Sequence, residues 1–212
     1  MSISNLRTEY GRGALSEDSA AHDPIEQFSR WLQEARAAGV REVNAMSLAT
    51  ASPQGHPCNR IVLLKEFDAS GFVFYTNYDS RKGRELQGNP LACALFFWIE
   101  LERQVRIEGT VSRVAPQESD RYFSQRPLEA RLSAWASPQS EPIGSRAELE
   151  ARMSQVRERF AGQADPPRPP HWGGYRIAPL QVEFWQGGAS RLHDRLLYGR
   201  EAGGWRRSRL AP

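Results

Sequence analysis

The chain has 212 residues, 40% of them hydrophobic, and a formal net charge of +3, which suits one domain with its own core and gives no sign of nucleic acid binding. Its two cysteines, Cys58 and Cys93, lack Cys or His neighbours at metal spacing, which argues against any metal site and fits a reducing cytosol better than a disulfide framework. Residues 1–13 lack the apolar core of a signal peptide and no apolar run nears the roughly 20 residues that span a bilayer, so the expectation is a soluble, cytoplasmic protein with no membrane partner.

In chain order, residues 1–22 are polar and carry Gly11 and Gly13, which predicts a mobile N-terminal arm ahead of a single domain over 23–212. Asp23 is a good N-cap, Pro24 suits the first helical position and Glu26 completes a capping box. Ile25, Phe28, Trp31, Leu32 and Ala35 follow at helical spacing, and Gly39 can end the helix. From Met46 the period shortens to two. Met46 to Ala51, Arg60 to Phe67 and Gly71 to Thr76 read as strands, with turns at Pro53-Gln54-Gly55 and Asp68-Ala69-Ser70. Ser80 to Gln87 reads as a short helix closed by Gly88-Asn89-Pro90. Ala92 to Ile99 is a near-continuous apolar strand. Arg103 to Val114 alternates, with Val105, Ile107, Gly109 and Val111 on one face.

Helical stretches follow over Pro116 to Gln125 and Ser145 to Phe160. The second opens on Ser145 with Glu148 and carries a stripe of Leu149, Met153, Val156 and Phe160. A Pro-rich loop fills 163–170, and strands return over Gln181 to Trp185, Arg191 to Tyr198 and Trp205 to Leu210. Six or more strands with few helices predict a mainly β (α+β) domain, an antiparallel barrel with helices packed outside.

If Arg191 to Tyr198 is a strand, Arg191, His193 and Arg195 share one face at about 7 Å intervals. Such a face makes a poor core and a good wall for a planar anion. An edge strand charged against aggregation fits the same residues. Arg60-Ile61-Val62-Leu63-Leu64-Lys65 is an apolar strand with a cation at each end, as solvated strand ends also are. Tyr75-Thr76-Asn77 leads into Ser80-Arg81-Lys82-Gly83, a helix start of the kind that holds phosphate. A plain Ser80 cap with solvated cations explains it too. No Walker loop or Gly-x-Gly-x-x-Gly run occurs. Tyr122 and Arg126, four apart, present a hydroxyl and a guanidinium on one side, as ordinary surface packing also does. The histidines, His22, His56, His171 and His193, show no triad order and no metal spacing. Spacing alone points to a β-barrel with dispersed cations, suited to one or two phosphorylated ligands, and names neither.

Together these segments are similar to the pyridoxine (pyridoxamine) 5′-phosphate oxidases. The likeness runs through Leu6-Arg7-Thr8-Glu9-Tyr10, Arg60 to Lys65, Phe74 to Asn77, Ser80 to Lys82, Glu102 to Val105 and Tyr122-Phe123 with Arg126-Pro127. It continues through Gln139-Ser140, Trp172-Gly173-Gly174, Glu183 to Gly188, Arg191 to Arg195 and Arg209 to Pro212. The resemblance implies an FMN-binding split β-barrel, a homodimer with FMN at the subunit interface. It also implies oxidation of pyridoxine 5′-phosphate or pyridoxamine 5′-phosphate by O2 to pyridoxal 5′-phosphate and H2O2. It assigns FMN contacts to Arg60, Ile61, Val62, Leu63, Leu64, Lys65, Tyr75, Thr76, Arg81, Lys82, Gln104, Gln139, Ser140, Trp185 and Arg195. It assigns substrate contacts to Arg7, Tyr10, Lys65, Tyr122, Arg126, Arg191, Leu192 and His193. Arg191 and His193 take the catalytic roles, and the arm bearing Arg7 and Tyr10 closes over the ligand.

One position departs from the pattern. Ala130 stands where the family usually has Ser, which removes a hydroxyl donor from the substrate-phosphate site, and Arg131 or Ser133 are the candidates to replace it. Two other readings share parts of the pattern. One is a related split-barrel flavin oxidase acting on another ring, as in phenazine biosynthesis; Tyr122, Arg126 and the full Arg191 to Arg195 run argue against it. The other is a non-catalytic protein that carries flavin or pyridoxal phosphate, which only Ala130 supports.

Overall fold

The computed structural model describes residues 3–6 and 8–212. Helix α1 (Pro24–Ala37) starts where the cap predicts, with the Asp23 carboxylate accepting the N–H groups of Ile25 and Glu26. The strands are β1 (Ala45–Ala51), β2 (Pro57–Leu63), β3 (Glu66–Asp68), β4 (Gly71–Asn77), β5 (Leu91–Trp98), β6 (Arg103–Arg113), β7 (Trp172–Gln186), β8 (Asp194–Glu201) and β9 (Gly204–Arg209). Helix α2 (Arg81–Gly88) joins β4 to β5, and α3 (Pro116–Ser124), α4 (Leu128–Ala136) and α5 (Arg146–Arg159) join β6 to β7. Among the described residues no helix is long and apolar enough to cross a membrane.

Every ladder is antiparallel, and the strands run in the order β2-β1-β5-β6-β7-β4-β3, with β8 on β7 and β9 on β8. β2 and β3 stand at opposite ends of that path, yet only Leu64 and Lys65 separate them in the chain. The sheet must curl until its ends meet. Lys65 N–H closes the seam on the Val73 carbonyl at 2.9 Å. The result is a split β-barrel. Its inner face buries Met46, Leu48, Phe72, Phe74, Phe96, Val105, Ile107, Ile177, Val182 and Phe184, and α1 lays Phe28, Trp31 and Ala35 against it. Phe28 is fully buried and its ring lies 5.0–5.1 Å from those of Phe67, Phe72 and Phe96.

The expected Arg60–Phe67 strand breaks at Leu64-Lys65, because there the chain steps from one end of the sheet to the other. β7 begins at Trp172, well before the expected Gln181. Gly173 and Gly174 hide its start: a Cβ on Gly173 would lie 2.1 Å from the Tyr78 hydroxyl, and one on Gly174 2.8 Å from the Tyr75 ring. The glycines are there for the aromatic rings packed over them. Helix α4 is not anticipated by the sequence; Pro127 stands at its N-cap and gives no side-chain cap. Helix α5 forms as expected, but its stripe is not a core face, since none of its residues is buried; Phe160, just past its end, is. The expected Arg191–Tyr198 strand begins only at Asp194.

The later part of the arm packs onto the domain. Leu15, Ala20 and Ala21 are buried. Leu15 N–H donates to Asp194 Oδ2 at 2.9 Å, and the Tyr198 hydroxyl donates to the Ala21 carbonyl at 2.7 Å. Arg209 pairs with both Glu17 and Asp194. Many of these anchors are backbone groups, which every residue carries, so a polar composition conceals them.

Candidate active site

The largest gathering of the expected residues lines a cleft of about 720 Å³ at the β2–β4 edge: Arg60, Ile61, Val62, Leu63, Lys65, Tyr75, Thr76, Arg81, Lys82, Tyr122, Arg126, Gln139 and Ser140. Leu64 does not line it; alternation turns its side chain into the core, where it is buried. Cys58, Asn59 and Trp172 line the cleft as well and were not anticipated.

One end of the cleft is cationic. At the start of α2, the Ser80 hydroxyl caps Gly83 N–H at 3.3 Å and donates to the Asn77 carbonyl at 2.7 Å. Gly83 is required there, since a Cβ would lie 1.9 Å from the Tyr78 carbonyl oxygen. This tight start sets Lys82 inward, 8% exposed. Its ammonium donates only to neutral oxygens: Thr76 Oγ1 (3.1 Å), Ser80 Oγ (3.3 Å) and Gln139 Oε1 (3.1 Å). Burial and the neighbouring Arg60 pull it down to about 8. The buried Glu85 takes Arg81 Nε at 2.9 Å, Arg60 Nη2 at 3.2 Å and the Thr50 hydroxyl. Burial opposes its ionisation, yet the bonds from Thr50, Arg81 and Arg60 hold its carboxyl below the usual range. Three cations against one carboxylate leave two positive charges, which match a phosphate dianion.

The other end is aromatic and short of partners. Tyr75 and Tyr122 stack at 4.0 Å, Trp172 stacks on Tyr75 at 5.5 Å, and the Arg126 guanidinium lies 4.6 Å over Trp172. Among the described residues, Tyr75 Oη and Arg126 Nη1 are both buried without a hydrogen-bond partner. Burial, then Glu66 and Glu118, push the Tyr75 phenol up, and burial pulls the Arg126 guanidinium down. Unmet buried donors call for a partner, and in this cleft a ligand anion would supply one. The donors of this cleft therefore fit a phosphorylated cofactor at one end and a second anion at the other.

The remaining expected residues lie elsewhere. Gln104, Trp185 and Arg195 form one row across β6, β7 and β8 and line a second cleft of about 340 Å³ with Arg106, Glu183 and Pro212. The buried Glu183 takes Arg195 Nε at 2.7 Å and pairs with Arg106. Tyr10, Arg191 and His193 line a third cleft of about 350 Å³ with Leu6, Thr8, Glu9 and Gly188. Trp185 joins the two, its ring 4.6 Å from His193 and 5.8 Å from Tyr10. Leu192 is exposed, and Arg7 lies outside the described residues.

Arg191, His193 and Arg195 do not share a strand face. Ala189–Arg191 is a single 3-10 turn with Ser190 and Arg191 in left-handed backbone (φ 53° and 63°), and Gly188 N–H donates to His193 Nδ1 at 3.1 Å. The run Gly187-Gly188-Ala189-Ser190 was the signal for that turn. Sequence reasoning missed the carboxylates that organise the cations. Glu85 alone left a trace, four residues after Arg81. Among the described residues no three His, Cys, Asp or Glu side chains gather to hold a metal ion.

Fold and cleft together define a split-barrel protein with a cation-lined cleft at the edge of its sheet. Residues 32–160 match the family model described as pyridoxamine 5′-phosphate oxidase, and residues 172–212 match the pyridoxine 5′-phosphate oxidase C-terminal dimerisation region. The chain is 59% identical over 210 residues to the pyridoxine/pyridoxamine 5′-phosphate oxidase of Rubrobacter xylanophilus, covering 99% of this chain and 96% of that protein. It is 58% identical to the enzyme of that name from Bordetella petrii over the full length of both. Among solved structures it is similar to PhzG from Burkholderia lata in complex with tetrahydrophenazine-1-carboxylic acid, with a TM-score of 0.88, 34% identity and coverage of 95% of this chain and 100% of that one. The chain belongs to the pyridoxamine 5′-phosphate oxidase family.

Proposed function

We propose that the protein is an FMN-dependent oxidase that converts pyridoxine 5′-phosphate or pyridoxamine 5′-phosphate, with O2, to pyridoxal 5′-phosphate and H2O2 (the amine also taking up water and releasing ammonia), working in the cytoplasm as a homodimer. The observation that carries this reading is the single cleft with two anion-receiving ends: the cradle of Arg60, Arg81 and Lys82, and the unpartnered Arg126 and Tyr75. A phosphorylated cofactor beside a phosphorylated substrate needs both. FMN, when bound, supplies the two-electron chemistry that no side chain here can.

The chain's own residues bind and orient. Arg60, Arg81 and Lys82 neutralise the cofactor phosphate, with Thr76, Gln139 and Ser140 as neutral donors or acceptors beside it. Lys65, Tyr122 and Arg126 hold the substrate phosphate by charge-assisted bonds. Arg191 and His193 orient the substrate ring and are the proposed catalytic residues, with Tyr10, Leu192 and the arm bearing Arg7 over them. Gln104, Trp185 and Arg195 complete the flavin site from a second copy. Support for that copy comes from the outer sheet face. Phe97 pairs with Gln104 in the row that continues to Trp185 and Arg195, and Ile61 (65% exposed) and Phe97 (53%) stand as exposed large apolar side chains on that face.

The test is direct. The purified protein should show a flavin spectrum and, given pyridoxine 5′-phosphate in air, release the aldehyde product and peroxide together. Absence of bound flavin, or flavin without turnover, overturns the reading.

A further inference from the structure

Between the second and third clefts lies a buried carboxylate that none of these roles uses. Glu102 follows the turn Ile99–Leu101 in left-handed backbone (φ 54°) and is 7% exposed. Its Oε2 accepts the N–H groups of Gly11 (2.8 Å) and Arg12 (3.0 Å). Among the described residues no cation pairs with it, so those two amides are what satisfies its side chain. A buried carboxylate stripped of its donors is strongly unfavourable, which makes arm and carboxylate depend on each other.

The backbone of Glu102 faces the other way. Its carbonyl accepts Gly187 N–H at 2.8 Å and Gln186 Nε2 at 3.3 Å. One residue therefore ties the arm to the end of β7, where the turn carrying Arg191 and His193 begins. Tyr10, next to the two held amides, sets its ring edge-on to His193 at 5.9 Å and to Trp185. Gly187 leaves room for it: a Cβ there would lie 2.8 Å from Tyr10 Cγ and 3.0 Å from Glu102 Cβ.

We infer that Glu102 is a positioning residue for the substrate, its carboxylate latching Gly11 and Arg12 so that Tyr10 is held against His193 and Trp185. This rests on the reading that the cleft of Tyr10, Arg191 and His193 receives the substrate. Glu102 touches no reacting atom; it acts through Tyr10.

Three variants test it: Glu102→Ala, Glu102→Gln and Gly187→Ala. Amide hydrogen exchange is read at Gly11 and Arg12 in the flavin-free protein. KM and kcat for pyridoxine 5′-phosphate, and the dissociation constant for FMN, are read separately. Glu102→Ala should strip protection from both amides and raise KM about tenfold or more, the equivalent of about 1.4 kcal/mol, with smaller changes in kcat and FMN affinity. Glu102→Gln keeps an oxygen that accepts the same two bonds and should restore protection and KM. Gly187→Ala, which crowds Tyr10 and the Glu102 Cβ together but keeps the carboxylate group, should also raise KM, and it decides the matter if Glu102→Ala does not fold. Unchanged KM in Glu102→Ala or Gly187→Ala overturns the proposal, as does Glu102→Gln behaving like Glu102→Ala. If the protein neither binds FMN nor turns over, the functional reading fails, while exchange at Gly11 and Arg12 still decides the latch: protection unchanged in Glu102→Ala overturns it.

Discussion

Lys82 Nζ donates to Gln139 Oε1 across 3.1 Å, joining the first turn of α2 to the loop after α4. Two residues far apart in the chain thereby meet at the cationic end of one cleft, and among the described residues none of the three partners of Lys82 there is charged. An ammonium buried among neutral oxygens gains most from an arriving anion.

Its titration gives the first prediction. Lys82 stands at about 8, down from 10.5. Below pH 8 it is charged and draws a phosphate; above, it is neutral, and binding a dianion must bring in a proton. FMN affinity should hold between pH 7 and 8 and fall as pH rises further. Lys82→Met should weaken FMN binding roughly 10- to 100-fold, the equivalent of about 1.5–3 kcal/mol for a charged hydrogen bond, and flatten the pH dependence. In the flavin-free protein the sign reverses for stability. Between pH 8 and 10.5 the unfolded chain holds the Lys82 proton and the folded one does not, so this group's contribution to stability rises with pH there. Flavin fluorescence quenching across pH checks the binding; an unchanged affinity in Lys82→Met removes the residue from the cradle.

Phe28 carries the second. Its ring is fully buried against three others under α1. Phe28→Ala should lower the unfolding free energy by about 3–5 kcal/mol. Urea titration should show a lower midpoint at unchanged slope. A loss under about 1 kcal/mol would mean that α1 contributes little to closing the barrel.

The parts legible in the sequence were those set by local physics. The Asp23 cap, the alternation of β6 and the cationic start of α2 each depend on neighbours a few residues away. What stayed hidden depends on distant ones. The first half of β7 lacks apolar alternation because Gly173 and Gly174 make room for Tyr78 and Tyr75. Glu102 and Glu183 look like ordinary surface carboxylates until the fold brings Gly11 and Arg195 to them. The Arg191 to Arg195 segment was read as a strand face and is a turn instead, since a two-residue period cannot foresee a turn held by His193 Nδ1. The resemblance implies one site, while one copy of the chain spreads its residues over three clefts; the proposed second copy would join them.

Ala130 carries the third prediction. It is half-buried in the first turn of α4. Both candidate replacements already make bonds, although the buried Arg131 Nε has no partner among the described residues. Arg131 is held by Asp165 and the Ala164 carbonyl, and the Ser133 hydroxyl donates to the Ala130 carbonyl at 3.0 Å. Ala130→Ser should lower KM for pyridoxine 5′-phosphate by roughly 2- to 10-fold, the equivalent of one hydrogen bond of about 0.5–1.5 kcal/mol, at unchanged kcat. Steady-state kinetics decide it, and an unmoved KM sinks the idea.

Arg191 carries the fourth. It lines the third cleft from a left-handed turn position, beside His193. If it acts on the reacting ring, Arg191→Ala should lose kcat at saturating substrate. A raised KM with full kcat would reduce it to a binding residue.

The last prediction concerns where the two halves of the site come from. Lys82 and Arg195 line different clefts of one chain. If a second copy brings them together, Lys82→Met and Arg195→Ala should each impair both sites of their own homodimers. Co-expressed under different tags and purified as the mixed dimer, they should behave otherwise. One site then carries both substitutions and the other carries neither. The mixed dimer should regain close to half the wild-type turnover and bind one FMN tightly. Were each site built from a single chain, every site in the mixed dimer would carry one defect and nothing would return. Flavin content and turnover of the mixed dimer therefore separate a shared site from two private ones, and the outer face bearing the exposed Ile61 and Phe97 is the surface through which sharing would occur.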